Sequence, residues 1–532
     1  MQININGTQT RRAQRVLLVA PPSKTFRTPE EHLGIGYLAA EGRKAGHKVK
    51  ILDCWLKKFS IDDTVKYILS HQFDVVGFSP SMDSREETIE IVKKLRKKGF
   101  NKFIIAGGYD ATFYPKKYLS GTSRGLDLIF RGESDEIFPQ LLNFLSQGKN
   151  WTKIPGIVYW KNKQVIINPP AERVTDLDGL PFPARDTIKQ VIKYKTPAHV
   201  CDSRDCYNRC SFCSIGAFYD LSKGHQRWIG RSPKNIVKEL KELQDIGITM
   251  VKFVGNTFFG GVNWKKRAYQ LCKEVKQSNI NIRFRISTRV NSIDKELFQK
   301  LKECGLFAVS IGVESGIQRK LDDYKKNTTV AQNLRAVRIL EELGIYAQMG
   351  FILFDPWVTL KELKQEFIFL KKVKWGITKG ISTSLFTPEG TEITERIKHS
   401  CGFKGKSGSN YIYEIQEKKA RDVYKALKTW SKNSIDLYDM AIDPISAPKV
   451  VSPQLLKEFY KIYCKFRDHD MDIFETLIDL SEKGKSYSSL IKFVKDEIKA
   501  SADFYICQES KIKKLYKLSG LVPPKYPNRY IY

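Results

Sequence analysis

The 532-residue chain has no run of 18 or more apolar residues, so it lacks a segment of the length and polarity that a membrane-crossing helix requires. Its opening Met1-Gln-Ile-Asn-Ile-Asn-Gly7 has no apolar core of the kind a secretory signal carries. The sequence therefore predicts a cytoplasmic protein with no membrane partner. A disulfide framework is missing too. Of ten cysteines, Cys54, Cys201, Cys272, Cys304, Cys401, Cys464 and Cys507 are scattered and read as buried thiols. Acidic residues are scarce, 58 Asp and Glu against 90 Lys and Arg, which leaves a net charge of +32. An excess of that size suits an acidic partner such as RNA, a nucleotide, a carrier protein or a phosphorylated substrate. The lysines are spread over many amphipathic helices, however, and no RNA-binding module is recognisable. That favours a general compositional bias and weighs against nucleic acid. What is present is a globular composition, 42% hydrophobic and 12% aromatic, long enough for roughly two to four domains with cores of their own.

The other three cysteines form one run, Cys206-Tyr-Asn-Arg-Cys210-Ser-Phe-Cys213, near the middle of the chain. Thiols at this spacing can reach one metal centre without help from distant sequence. A zinc site is one reading, but structural zinc takes four protein ligands and no further Cys or His pair follows at zinc-finger spacing. The other is a [4Fe–4S] cluster, which usually takes four cysteines. With three, one iron stays open for chemistry, and Phe212 would shield one side. The spacing C-x3-C-x-aromatic-C resembles the signature of the radical S-adenosylmethionine (SAM) enzymes. The resemblance implies that Cys206, Cys210 and Cys213 hold the cluster, and that the open iron chelates the amino and carboxylate groups of SAM.

Upstream, short apolar runs alternate with helical patterns. Arg15-Val-Leu-Leu-Val-Ala20, Lys48-Val-Lys-Ile-Leu-Asp53, Asp74-Val-Val-Gly-Phe-Ser79, Lys102-Phe-Ile-Ile-Ala106 and Asp127-Leu-Ile-Phe130 read as buried parallel strands. They predict an N-terminal doubly wound parallel sheet over residues 1–150, with ligand loops at the strands' carboxyl ends. Those loops are Pro21–Thr28, Ser79–Ser84, Gly107–Thr112 and Gly132–Glu136. Their small residues let a flat ligand approach the backbone. The pieces Pro21-Pro22, Leu33-Gly-Ile-Gly36, Asp74–Ser79, Gly107-Gly108 and Arg131-Gly132-Glu133 resemble the cobalamin (B12)-binding domain of one large radical SAM class. By that resemblance Pro21, Ser79, Gly107, Gly108, Gly132 and Glu133 contact cobalamin. Asp110 stands where the family has a histidine, and no D-x-H-x-x-G motif supplies a lower ligand to cobalt.

Residues 151–190 read as a connector, a hairpin over residues 156–167 followed by a Pro-rich linker. Residues 191–391 repeat a βα pattern about six times, which predicts a partial (β/α)6 barrel whose chemistry gathers at the C-terminal strand ends. The last strand is expected near Ile381–Phe386. By resemblance, strand-end residues grip SAM: Gly255 and Asn256 at its amino group, Arg289 at its carboxylate, Glu314 and Ser315 at its ribose or amine. Residues 392–532 read as a mostly helical C-terminal cap, with helices near 413–433, 452–467 and 471–483. No single catalytic residue stands out. The resemblance implies a cobalamin-dependent radical SAM methyltransferase that methylates an unactivated carbon of a small molecule or peptide. Cyclisation, ring contraction or another rearrangement, and RNA modification, are the alternatives. It also implies an external one-electron donor of the flavodoxin or ferredoxin kind.

Overall fold

The computed structural model describes residues 12–23, 30–120, 125–224, 226–407, 410–446 and 449–523. The chain divides into two compact units, Met1–Gln190 with Phe218–Gln226, and Val191–Ala217 with Arg227–Tyr532.

In the first unit β1 (Arg15–Ala20), β2 (Lys48–Asp53), β3 (Val75–Phe78), β4 (Phe103–Ala106) and β5 (Leu128–Phe130) run parallel. Their side chains alternate between two cores, as a pleated strand requires. Leu17, Val19, Val76, Phe78 and Ile104 face helices Ile61–Leu69 and Arg85–Lys97. Val16, Leu18, Val75, Ile105 and Leu128 face helices Leu33–Lys44 and Ile137–Ser146. The hairpin β6 (Ile157–Lys161) and β7 (Gln164–Ile167) is no free connector. It pairs antiparallel onto β5 and completes a seven-stranded sheet in the order β2-β1-β3-β4-β5-β6-β7. Ile157 and Val158 are fully buried there, so the hairpin covers an edge that would otherwise be open. The strand order reverses between β1 and β3, the crevice position for a ligand.

The second unit begins with β8 (Ala198–Val200) and a two-residue antiparallel pair, β9 (Ser203–Arg204) and β10 (Ile229–Gly230). Then follow β11 (Met250–Phe253), β12 (Arg283–Arg289), β13 (Leu306–Glu314), β14 (Tyr346–Phe351) and β15 (Gly376–Ile377). With β8 they form an all-parallel sheet, β15-β14-β13-β12-β11-β8, with a helix before each later strand. This is the expected incomplete barrel. Its sixth strand is earlier and shorter than the sequence predicts. Gly380, at a φ of +81°, breaks the chain after Ile377. The apolar stretch at 381–386 keeps only one bridge, between Phe354 and Ser384.

Helix Glu392–Ser400 and a short antiparallel pair, Gly405–Ser407 with Asn410–Ile412, follow, and then the helices Lys418–Ser446, Pro453–Glu482, Tyr487–Ala500 and Ala502–Ser519. The two helices expected at 452–483 are one, because the apolar stripe Phe459, Phe466, Ile473, Leu477 continues across Asp468-His-Asp470. These helices do not simply cap the barrel mouth. Tyr460 Oη donates to Trp375 O at 3.2 Å, and Tyr463 Oη donates to Gly376 O at 3.2 Å and accepts from Thr378 N at 3.0 Å. Arg283 donates to Val451 O at 2.9 Å, and Val450 N to Lys195 O at 3.0 Å. The helical layer thus covers the β15 edge and reaches the N-terminal ends of the strands. No helix of the described residues is long and apolar enough to cross a membrane.

Candidate functional site

The cysteine loop leaves β9 through Asp205, a buried residue in the left-handed region at a φ of 62°. Such a backbone is tolerated in Asp because its short carboxylate can bond locally. Asp205 Oδ1 accepts from Cys206 N at 2.6 Å, and its carboxylate takes Arg209 Nη1 at 3.1 Å and Nη2 at 2.9 Å. Asn256, just past β11, accepts from Asp205 N at 3.1 Å. Asn208 Nδ2 donates to Cys210 Sγ at 3.1 Å and to Lys325 O at 2.9 Å. Arg289 ends β12 with Nη1 3.7 Å from the same sulfur and its guanidinium 5.5 Å from the Tyr207 ring. Burial raises the thiol pKa of Cys206 and Cys213, against backbone N–H groups that lower it. Phe212 turns edge-on to Tyr324 at 5.6 Å and packs with Ile352, Leu385 and Ile393.

The three sulfurs lie near enough for their charges to influence one another. Yet among the described residues no three Cys, His, Asp or Glu side chains converge as ligands of one metal ion. Thiolates about 2.3 Å from a single zinc would crowd together. In a cluster each binds its own iron and they stand apart. Three thiols on one loop can serve either, and the choice falls to the family the chain belongs to.

Around this loop the strand ends carry a buried polar set. Glu314 closes β13 at a φ of 63° and accepts from Lys326 Nζ at 2.8 Å, with both residues buried. Gly312 and Gly350 make room for the pair, since a Cβ on either would press on Glu314. Arg289 donates to the backbone oxygen of Lys326, which ties the two cations to one turn. Its Nε is buried without a hydrogen-bond partner, a donor suited to an anionic ligand at the mouth. Gly255 N donates to Asp202 Oδ1 at 3.0 Å, so that amide is already engaged. Ser315 stands apart from the others. It is fully buried, and its hydroxyl donates to Glu366 and accepts from Ile317 N at 3.0 Å. The structure therefore gives Ser315 a supporting place behind Glu314 and no opening to a ligand. Lys326 and Tyr207 were not singled out from the sequence. Tyr207 lies inside the cysteine motif, and a search of its variable positions would have found it. Lys326 has no such signal.

In the first unit the candidate cobalamin residues gather at the carboxyl ends of β1, β3, β4 and β5. Pro21 and Ser79 follow β1 and β3 at the switch point, although 24–28 of the first loop lie outside the described residues. Gly108, at a φ of +85°, follows Gly107, and a Cβ on it would meet Ser79 Oγ at 3.1 Å. Gly132, at +89°, would meet Ser222 Oγ at 3.1 Å, and its N donates to Thr112 Oγ1 at 3.2 Å. These turns accept glycine alone, which leaves the backbone bare for a large ring. Glu133 is buried and accepts from Val174 N at 3.3 Å, so it braces the turn. Asp110 is bound by Arg85, whose Nε donates at 2.7 Å, and by Tyr118 Oη at 2.6 Å. Its carboxylate is engaged in this network, which does not suit it as a cobalt ligand.

The chain thus combines a switch-point sheet with glycine-only turns and an incomplete parallel barrel with three thiols at its C-terminal strand ends. Residues 200–370 match the radical SAM superfamily, and residues 24–142 match the B12 binding domain. The chain is 30% identical over 372 residues to an uncharacterized methyltransferase of Pyrococcus horikoshii, covering 68% of this chain and 79% of that protein. It is 28% identical over 353 residues to the anaerobic magnesium-protoporphyrin IX monomethyl ester cyclase of Rubrivivax gelatinosus, covering 63% and 60%. Its fold matches the cobalamin-dependent SAM radical enzyme OxsB, solved with aqua-cobalamin and SAM bound, at a TM-score of 0.76 and 19% identity, over 96% of this chain and 84% of that one. The chain belongs to the radical SAM superfamily, among the members that carry a B12-binding domain. It is an enzyme, with a [4Fe–4S] cluster, SAM and cobalamin as its cofactors.

Proposed function

We propose that this enzyme is a methyltransferase acting on an unactivated carbon of a small molecule or peptide. The observation that carries the reading is the likeness to the Pyrococcus methyltransferase, which reaches 30% identity over 79% of that protein. When bound, the cluster supplies the electron that cleaves SAM, and cobalamin supplies the methyl group. The chain's own residues hold and orient these groups. Cys206, Cys210 and Cys213 ligate three irons. Asn208 and Arg289 place N–H groups on the Cys210 sulfur. Arg289, with Nε still open, takes the SAM carboxylate. Asn256 shapes the loop through Asp205, beside the SAM amino group. Glu314 faces the ribose or amine, and Lys326 holds it at a fixed angle. In the sheet unit Ser79, Gly107, Gly108 and Gly132 line the cobalamin crevice, with Pro21 at the switch point and Glu133 behind. Members of this family need an electron donor and a substrate. We take the donor to be flavodoxin- or ferredoxin-like and the setting to be the cytoplasm.

The test is the product pair. Anaerobically reconstituted enzyme given SAM and a strong reductant should form both 5′-deoxyadenosine and S-adenosylhomocysteine. Formation of 5′-deoxyadenosine alone, with methylcobalamin never regenerated, would reassign the enzyme to rearrangement or cyclisation.

A further inference from the structure

The cysteine loop and the strand-end residues Arg289 and Glu314 meet in one short turn. Helix Gln318–Asp323 ends at Tyr324, and the chain then enters the left-handed region at Lys325 and Asn327, at φ of 51° and 52°. The last carbonyls of a helix have no partner within it, and here the cysteine loop supplies the donors. Asp323 O accepts from Ser211 Oγ at 3.2 Å, Tyr324 O from Ser211 N at 2.9 Å, and Lys325 O from Asn208 Nδ2 at 2.9 Å. The next carbonyl, that of Lys326, accepts from Arg289, and Asn327 Nδ2 donates to Asn208 Oδ1 at 2.8 Å. Consecutive carbonyls of one turn thus hold residues that lie between the thiols on one side and the Arg289 guanidinium on the other. The side chain of Lys326, in the same turn, holds Glu314.

A turn can set two groups relative to one another only if it is itself fixed. Its anchor is the phenol of Tyr324, which donates to Asp355 Oδ2 at 2.7 Å just beyond β14. The same oxygen lies 3.2 Å from Lys320 Nζ, one helical turn before Tyr324, and Asp355 Oδ1 accepts from Trp357 N at 2.9 Å. Lys320 donates to Ile352 O at 3.1 Å and Leu353 O at 3.2 Å, and lies 3.5 Å from Glu366 Oε1 of helix Leu360–Lys372. Lys320, Tyr324, Asp355 and Glu366 are all buried. A buried polar network whose members satisfy one another is rigid. The Tyr324 ring also meets Phe212 of the cysteine motif edge-on at 5.6 Å.

We infer that Tyr324 is a positioning residue, whose phenol fixes the turn that sets the cysteine loop relative to Arg289 and Glu314. It acts through Asn208 and Ser211 on one side and through Arg289 and Lys326 on the other. Its reach to SAM rests on the assignment of Arg289 and Glu314 made above. It does not rest on methyl transfer, since methylation and rearrangement both need SAM held against the cluster.

The test uses the full-length enzyme with its cluster reconstituted. SAM is titrated calorimetrically without reductant, so that none is consumed. The electron paramagnetic resonance spectrum of the dithionite-reduced cluster is then recorded with and without SAM, in samples frozen directly after mixing. Tyr324→Phe keeps the ring and removes the bond to Asp355, and Ser211→Ala removes the hydroxyl on Asp323 O and keeps the amide. Both should retain about four irons and alter the spectrum of the SAM-bound cluster. SAM affinity should fall about tenfold in Tyr324→Phe, the loss of one hydrogen bond to a charged group, and less in Ser211→Ala. Leu477→Ala, in the buried core of helix Pro453–Glu482, controls for stability alone. It should lower the melting temperature and leave both readouts as in wild type. Iron lost from Tyr324→Phe and kept by Leu477→Ala would also support the inference, and Ser211→Ala would then supply the SAM titration. Affinity and spectrum as in wild type in both variants, or shifted alike in Leu477→Ala, overturn it. Arg289→Gln checks the SAM assignment separately. Unchanged SAM binding by that variant refutes the assignment, whereas weakened binding there with wild-type behaviour in Tyr324→Phe refutes the positioning role alone.

Discussion

At the scale of single residues the mouth of the barrel depends on one buried ion pair and one tight glycine. Glu314 and Lys326 satisfy each other inside a turn that already has a left-handed backbone. Removing one partner leaves the other charge buried alone, which costs about 3–5 kcal/mol. Lys326→Met should therefore lower the urea midpoint sharply and weaken SAM binding, and equilibrium denaturation with SAM titration checks both. Gly255 is constrained by space. A methyl group there would collide with Ser203 Oγ and lie 2.5 Å from Asp202 Oδ1. Gly255→Ala should cost about 1–3 kcal/mol and disturb the loop behind the cysteines, so iron retention as well as melting temperature should fall. The cysteines were singled out by their spacing, and Asn256, Arg289 and Glu314 by the family resemblance, on strand ends that apolar periodicity marks. Lys326 was not. It lies beyond helix Gln318–Asp323, and only the reversal of the chain at Glu314 brings it back.

At the scale of elements the helical layer holds a titration site. Asp470, in the middle of helix Pro453–Glu482, is buried and accepts from Trp430 Nε1 at 2.7 Å. Burial pushes its carboxyl up to about 7, against the lowering effect of the indole donor. Below pH about 4 the group is protonated in folded and unfolded chains alike. As pH rises toward 7 the unfolded chain has lost the proton and the folded chain still holds it, so stability falls through that window and levels off above it. The full span is up to about 4 kcal/mol. Asp470→Asn keeps an acceptor for Trp430, so it should flatten this slope and leave the protein more stable than wild type at pH 8. Melting temperatures at several pH values decide it. The helices were readable from their periodicity, but their lengths were not, since the polar Asp468-His-Asp470 looks like a break and is spanned by packing. The hairpin at 157–167 was readable as strands, and nothing in its alternation names β5 as the partner.

At the scale of the whole molecule two cofactor sites lie in separately folded units, and metal content can distinguish them. Reconstituted enzyme should carry about four irons with one cobalamin per chain. Cys210→Ala should lose most of the iron and keep its cobalamin, and elemental analysis with the visible spectrum checks both. Iron unchanged in that variant would refute the cysteine assignment. The parallel order of β1 to β5 and of the barrel sheet followed from the repeated strand–helix pattern. Where the helical layer lies did not, because its contacts join residues far apart in sequence, such as Arg283 with Val451 and Lys195 with Val450.

The division of the chain also sets an order of manufacture. The sheet unit takes in Phe218–Gln226, which is translated only after the cysteine loop. Within that unit Lys223 N donates to Ala171 O at 2.8 Å, Arg173 N donates to Lys223 O at 3.0 Å, and Ser222 closes on the Gly132 turn. A nascent chain that has reached residue 190 thus has every strand of the sheet but lacks the strap beside one of its glycine turns. That turn is finished only once the thiols of the second unit have left the ribosome.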